Sequence, residues 1–123
     1  DYISVHLRLG DKYLEIEDKY KITPIDSREF NEKTLFSFFK TNNVFFFCDN
    51  KSYKQRVKRM FDNIQITDFD IAHSSCENTT DLQIIDGLAE FYLLSKSKHI
   101  YKASYSGFSI VASKMYNCPI SDL

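Results

Sequence analysis

The sequence predicts an α/β fold, a mostly parallel sheet flanked by helices. Three observations predict it. Short β-branched and aromatic runs alternate with segments of helical periodicity, the mark of βαβ units. The run Val44-Phe45-Phe46-Phe47-Cys48 is apolar without interruption, as in a strand covered on both faces. The chain has 123 residues, 43% of them hydrophobic and 15% aromatic, enough for one domain with a real core and too apolar for disorder.

The first strand is expected over residues 2–8. Alternation there puts Val5 and Leu7 on one side and His6 and Arg8 on the other, just before Gly10 and Asp11. An imidazole and a guanidinium on one face suit a phosphate-bearing ligand; an edge strand with one wet face is the ordinary alternative. Residues 9–25 read as a polar loop. Asp26-Ser27-Arg28-Glu29 has capping-box spacing and predicts a helix, with Phe30, Leu35, Phe38 and Phe39 as its apolar positions, to about residue 41. Val44–Cys48 is the second strand. Asp49-Asn50 is a turn and cap, followed by a helix over 51–62 that buries Tyr53, Val57, Met60 and Phe61.

Ile64–Thr67 is a short strand and 68–79 an irregular polar stretch. Thr80-Asp81-Leu82-Gln83 repeats capping-box spacing. Leu82, Ile85, Leu88, Ala89, Tyr92 and Leu93 carry one helical stripe to about Ser95. His99–Ala103 is the next strand, Ser104–Gly107 a small-residue turn, and Phe108–Ala112 the start of a last helix ended by Asn117 and Pro119. In open sheets of this Rossmann-like kind ligands sit beyond the carboxyl ends of the strands. That directs attention to residues 9–13, 49–51, 68–79 and 104–108.

Charge excludes some functions. With 16 basic and 17 acidic residues the formal net charge is −1, so no global field favours nucleic acid. Lys51, Lys54, Arg56, Lys58 and Arg59 read as a solvated helix face. Cys48, Cys76 and Cys118 lack metal-ligand or disulfide spacing, and their usage fits a reducing cytoplasm. No metal is expected. No apolar run approaches a membrane span and no signal peptide is visible; the absent initiator Met makes the chain read as a piece of a longer one.

Dinucleotide, P-loop and nucleophile-elbow motifs are all missing. His73 reads as a solvent-exposed loop residue, His99 as structural, and Asp68 and Asp70 as loop polars. Ser104-Tyr105-Ser106-Gly107-Phe108-Ser109 opens a helix, where backbone N–H groups and hydroxyls favour an anion; Ser capping and a turn glycine explain the same letters. The pairing of this segment with His6 and Arg8 at one sheet edge strengthens the anion reading.

Three segments taken together resemble the fucosyltransferase superfamily, the α-1,2 and α-1,6 enzymes and the protein O-fucosyltransferases. They are Val5-His6-Leu7-Arg8-Leu9-Gly10-Asp11, Phe45–Asn50, and Glu90–Ile100 running on to Ser104–Ser109. The resemblance spans nearly the whole chain. It implies one half of a GT-B architecture, with residues 1–123 as the nucleotide-sugar donor domain and an acceptor domain on the missing N-terminal part. By position, Arg8 would hold the diphosphate and act catalytically, and His6 would lie near the nucleotide. Glu90 would stand where the family reads guanine, and Ser104, Ser106 and Gly107 would form the phosphate-side loop, with Gly10, Asp11 and Asp49 lining the same site. GDP-fucose would be donor, a glycan hydroxyl acceptor, and no cofactor or metal would be needed. A bacterial polysaccharide pathway, in the cytoplasm or at the inner membrane face, is the implied setting.

The chain departs from that pattern at three points. Leu9 replaces a second Arg, Glu90 an Asp, and Ile110-Val111 a Trp pair. Two other readings stay open: a receiver-like signalling domain with Asp49 as phospho-acceptor, and a non-catalytic nucleotide-binding module. The first wants an acidic pair after strand one, where this chain has His6 and Arg8.

Overall fold

The computed structural model describes residues 1–9, 30–68 and 81–123. Five strands, β1 (Ile3–Leu7), β2 (Val44–Cys48), β3 (Ile64–Ile66), β4 (His99–Lys102) and β5 (Ile120–Asp122), form one sheet in the order β3-β2-β1-β4-β5. Every pairing is parallel. Four helices accompany it: α1 (Glu32–Thr41), α2 (Lys51–Met60), α3 (Asp81–Ser95) and α4 (Gly107–Met115). This is the predicted α/β, Rossmann-like fold.

β1 is the central strand, so the wet-edge alternative does not hold. Alternation along the strands sorts the core into two layers. Val5, Leu7, Phe46 and Cys48 pack with Leu35 and Phe39 of α1 and Val57 of α2. On the opposite face Phe47 and Ile100 pack with Leu94 of α3 and Ala112 of α4. The chain winds outward from β1 to β3 on one side, then returns to β4 on the other. The switch in direction therefore falls between β1 and β4, where a crevice forms in such sheets.

Caps decide where the helices start. Asn50 accepts a hydrogen bond from the Tyr53 N–H at 2.9 Å and opens α2, as its sequence predicts. α1 starts later than expected. Asn31 supplies the cap by accepting from the Thr34 N–H at 3.2 Å, so the helix runs from Glu32 and not from the capping box at 26–29, which lies outside the described residues. Thr80 of the second capping box also lies outside them.

Four expectations are corrected. β5 was not anticipated: three residues after Pro119 add an edge strand, anchored by Leu123 N–H to Lys102 O at 2.8 Å. Asn117, in the left-handed region at φ 54°, turns the chain from α4 towards it. Lys54 is 1% exposed and belongs to the core, not to a solvated face. Met60, expected inside, is exposed. Finally, most of the α3 stripe faces outward, while Leu93 packs against the core as expected. Leu82 is 66% and Leu88 65% exposed, with Ile85 and Tyr92 similar, because the sheet is met by the opposite side of the helix, through Glu90, Phe91 and Leu94.

Phe39 joins α1 to the sheet and to the end of α2, with ring centroids 5.1 Å from Phe46 and 5.5 Å from Phe61. Phe39→Ala is expected to cost about 3–5 kcal/mol, read as a lower urea midpoint at unchanged slope.

Candidate functional site

The carboxyl edge of the sheet gathers most of the predicted site residues. As β1 ends, its next two backbone N–H groups are held from opposite sides. The Arg8 N–H donates to Ser104 Oγ at 2.8 Å, and the Ser104 hydroxyl donates back to the Arg8 carbonyl at 2.8 Å. The Leu9 N–H donates to Asp49 Oδ1 at 2.8 Å. Ala103 N–H to His6 O, 2.9 Å, carries the β1–β4 ladder up to that tie. The exits of β1, β2 and β4 are thus locked together at the switch point.

α4 begins here. Its N-cap is Ser106, whose hydroxyl accepts from the Phe108 N–H at 3.2 Å, while Ser109 donates to the Ser106 carbonyl at 3.0 Å. Capping is therefore the job of the Ser106 side chain, and strand tying that of Ser104. Beyond these bonds the segment supplies a helix N-terminus, with its positive dipole end. Among the described residues nothing within 4 Å would meet a Cβ on Gly107.

His6 lies beneath. Its ring stacks on Phe108 at 5.5 Å and 24°, and Phe108 in turn meets Phe91 edge-on at 5.2 Å. His6 is 5% exposed and its Nδ1 has no hydrogen-bond partner among the described residues. Burial lowers the imidazole to about 4; the nearby Asp49 carboxylate opposes this and the Arg8 guanidinium reinforces it. The ring is accordingly neutral at pH 7.

A second polar group sits on the β2–β3 side. Lys54 Nζ donates to Thr67 Oγ1 at 3.2 Å, and the Thr67 hydroxyl donates to Glu90 Oε2 at 3.1 Å. All three residues are buried. Burial raises the Glu90 carboxyl to about 7, Lys54 and the Thr67 hydrogen bond pull it down, and Asp49 and Asp86 push it up. Asp49 thus acts on both His6 and Glu90, so the two clusters form one electrostatic unit.

His6, Arg8, Asp49, Ser104, Ser106 and Gly107 meet at this edge. Glu90 joins them from beneath, with its carboxylate turned to Thr67. Gly10 and Asp11 lie outside the described residues, as do Asp70, His73 and Cys76. Among the remaining candidates, His99 Nε2 pairs with Ser121 Oγ at 2.8 Å, and exposed Asp68 pairs with Lys51 at 3.7 Å. Sequence reasoning missed Lys54 and Thr67. Lys54 adjoins the helical stripe of Tyr53, Val57 and Phe61, three residues before Val57, and that spacing is its sequence signal. Thr67 carried no signal.

The described residues contain no group of three or more His, Cys, Asp or Glu arranged to hold a metal, and none of their helices is long and apolar enough to cross a membrane. No protein-family model matches the chain, and no curated protein matches it significantly.

Two outcomes follow from the buried charges. Because the His6 pKa is lower in the folded state than its unfolded value near 6.5, its contribution to stability is present above pH 6.5 and lost as pH falls towards 4. Relative to His6→Phe, the parent should lose up to about 3 kcal/mol across that window in paired urea titrations; Glu90 and the other groups cancel in the difference. Lys54→Met removes the cation beside Glu90, so the Glu90 carboxyl should titrate above 7, read from its side-chain carbon shift by NMR.

Proposed function

We propose that this chain is the donor-binding half of a glycosyltransferase resembling the fucosyltransferases, holding the diphosphate of a nucleotide sugar at the β1–β4 edge. The observation that carries the reading is the reciprocal pair of hydrogen bonds between Arg8 and Ser104. It fixes the Arg8 backbone beside the α4 N-terminus, so a guanidinium and a helix dipole end serve one small region. That region is the switch point, where open α/β sheets bind their ligands.

The chemistry of the reading is as follows. Cleavage of the sugar–phosphate bond leaves negative charge on the departing nucleoside diphosphate. Arg8 supplies a forked, permanently charged donor, and the N–H groups opening α4 supply oriented dipoles, so the charge is met without reorganisation. Neutral His6 adds no cation of its own and, buried against Phe108, backs the site from within. The acceptor hydroxyl attacks from the opposite side of the sugar, inverting the anomeric carbon, and the acceptor domain supplies the rest of that site. In a complete enzyme Arg8→Ala should lower the rate on the order of 10²–10³-fold.

Calorimetry of the chain with GDP, GDP-fucose, UDP and ADP tests the reading. GDP and GDP-fucose should bind selectively, and Arg8→Ala should weaken binding by about 10–100-fold, the value of a charge-assisted contact. Gly107→Ala provides a sharper arm. Its Cβ meets nothing in the fold, so stability should hold, yet it narrows the space where a diphosphate approaches the helix. A folded sample that binds none of the four nucleotides leaves the non-catalytic module; labelling of Asp49 by acetyl phosphate would favour the receiver-like domain.

A further inference from the structure

The apolar stripe of α3 has no role in the core or at the proposed donor site. At 100° per residue Leu82, Ile85, Leu88 and Tyr92 fall within about a third of the helix circumference, on the side of α3 away from the sheet, and all are more than half exposed. No described element covers them. Beside them, α4 exposes Val111 and Met115 one turn apart, and α3 and α4 pack side by side, so the patch is wider than one helix. Contiguous exposed apolar side chains of this kind suit an interface.

Charges at its two ends identify the partner. Asp81 opens α3 and Lys96 follows its last residue, and both fall in the same sector as the apolar stripe. They are equidistant from the midpoint between Leu88 and Ala89. Lys96 is kept on this side by the Tyr116 ring, 3.9 Å from its Nζ. A stripe with opposite charges at equal distances from its centre is complementary to itself when two copies run antiparallel. Asp81 of each copy then meets Lys96 of the other, Ile85 meets Tyr92, and Leu88 and Ala89 lie at the axis. Antiparallel packing also opposes the helix dipoles favourably. From these placements we propose that the outer face of α3, bordered by α4, forms an isologous two-fold interface with a second copy of this chain. The inference is independent of the nucleotide reading, since the stripe faces away from the sheet and uses none of the residues assigned to the diphosphate.

Sedimentation velocity over about a hundredfold range of loading concentration tests it. The parent chain should pass from monomer to dimer, and Leu88→Glu should remain monomeric throughout with an unchanged circular dichroism spectrum. Charge reversal gives the decisive arm. Asp81→Lys alone, or Lys96→Asp alone, places like charges opposite each other twice per dimer and should weaken association about tenfold. The double variant Asp81→Lys/Lys96→Asp should restore it, which only antiparallel self-pairing requires. A parent chain that stays monomeric overturns the proposal. So does a dimer indifferent to Leu88→Glu, or one in which the double variant is no better than the single ones.

Discussion

The exit of β1 is the constraint on which the rest of this structure depends. A strand at the centre of a parallel sheet must release its chain into a loop at the edge where ligands bind, and the first free backbone groups there are costly to leave unsatisfied. Here the Arg8 N–H is taken by Ser104 from the β4 side and the Leu9 N–H by Asp49 from the β2 side. Each bond spans a large sequence separation, so the two together hold three strand exits in register. That rigidity orients Arg8, starts α4 beside it, and keeps the switch point in one geometry.

Around that tie the molecule buries more charge than its composition suggests. Lys54, Glu90 and His6 all lie in the interior near Asp49. Burial disfavours the charged forms of His6 and Glu90, and the consequences differ. His6 loses its proton and becomes a flat, neutral, polar surface against Phe108. Glu90 is moved into the neutral range and is restrained there by Lys54 and Thr67. Charge inside a dry site acts more strongly than at the surface, so the cluster sets the potential of the whole edge. Arg8 stands where that cluster meets the helix N-terminus, which is why the diphosphate reading centres on it.

The helices divide their labour unequally. α1 and α2 bury their apolar sides against one face of the sheet through Leu35, Phe39 and Val57. α3 does not follow that rule. It meets the sheet with Glu90, Phe91 and Leu94 and leaves its regular apolar stripe to the outside. With Glu90 bonded to Thr67 and Leu94 in the core, the helix is turned so that most of the stripe faces away from the sheet. The buried Glu90 cluster and the proposed two-fold interface are thus opposite sides of a single helix.

Much of the fold was legible in the residues themselves. Strands with apolar residues on both sides, such as Phe45–Cys48, have only one stable environment, a sheet covered twice, and the alternation of Val5 and Leu7 with His6 follows from strand geometry alone. Asn50 could be recognised as a cap because capping is local. Partners distant in sequence could not be recognised in this way. Whether three residues after Pro119 find a strand to pair with, and whether Lys54 faces water, depend on what lies across space. The sequence by itself determined the layers, the parallel sheet and the residue types gathered at its carboxyl edge, because periodicity and capping act within a few residues. Only the tertiary structure decided which side of α3 turns inward and which hydroxyls are already taken, because those outcomes are set by contacts between segments dozens of residues apart.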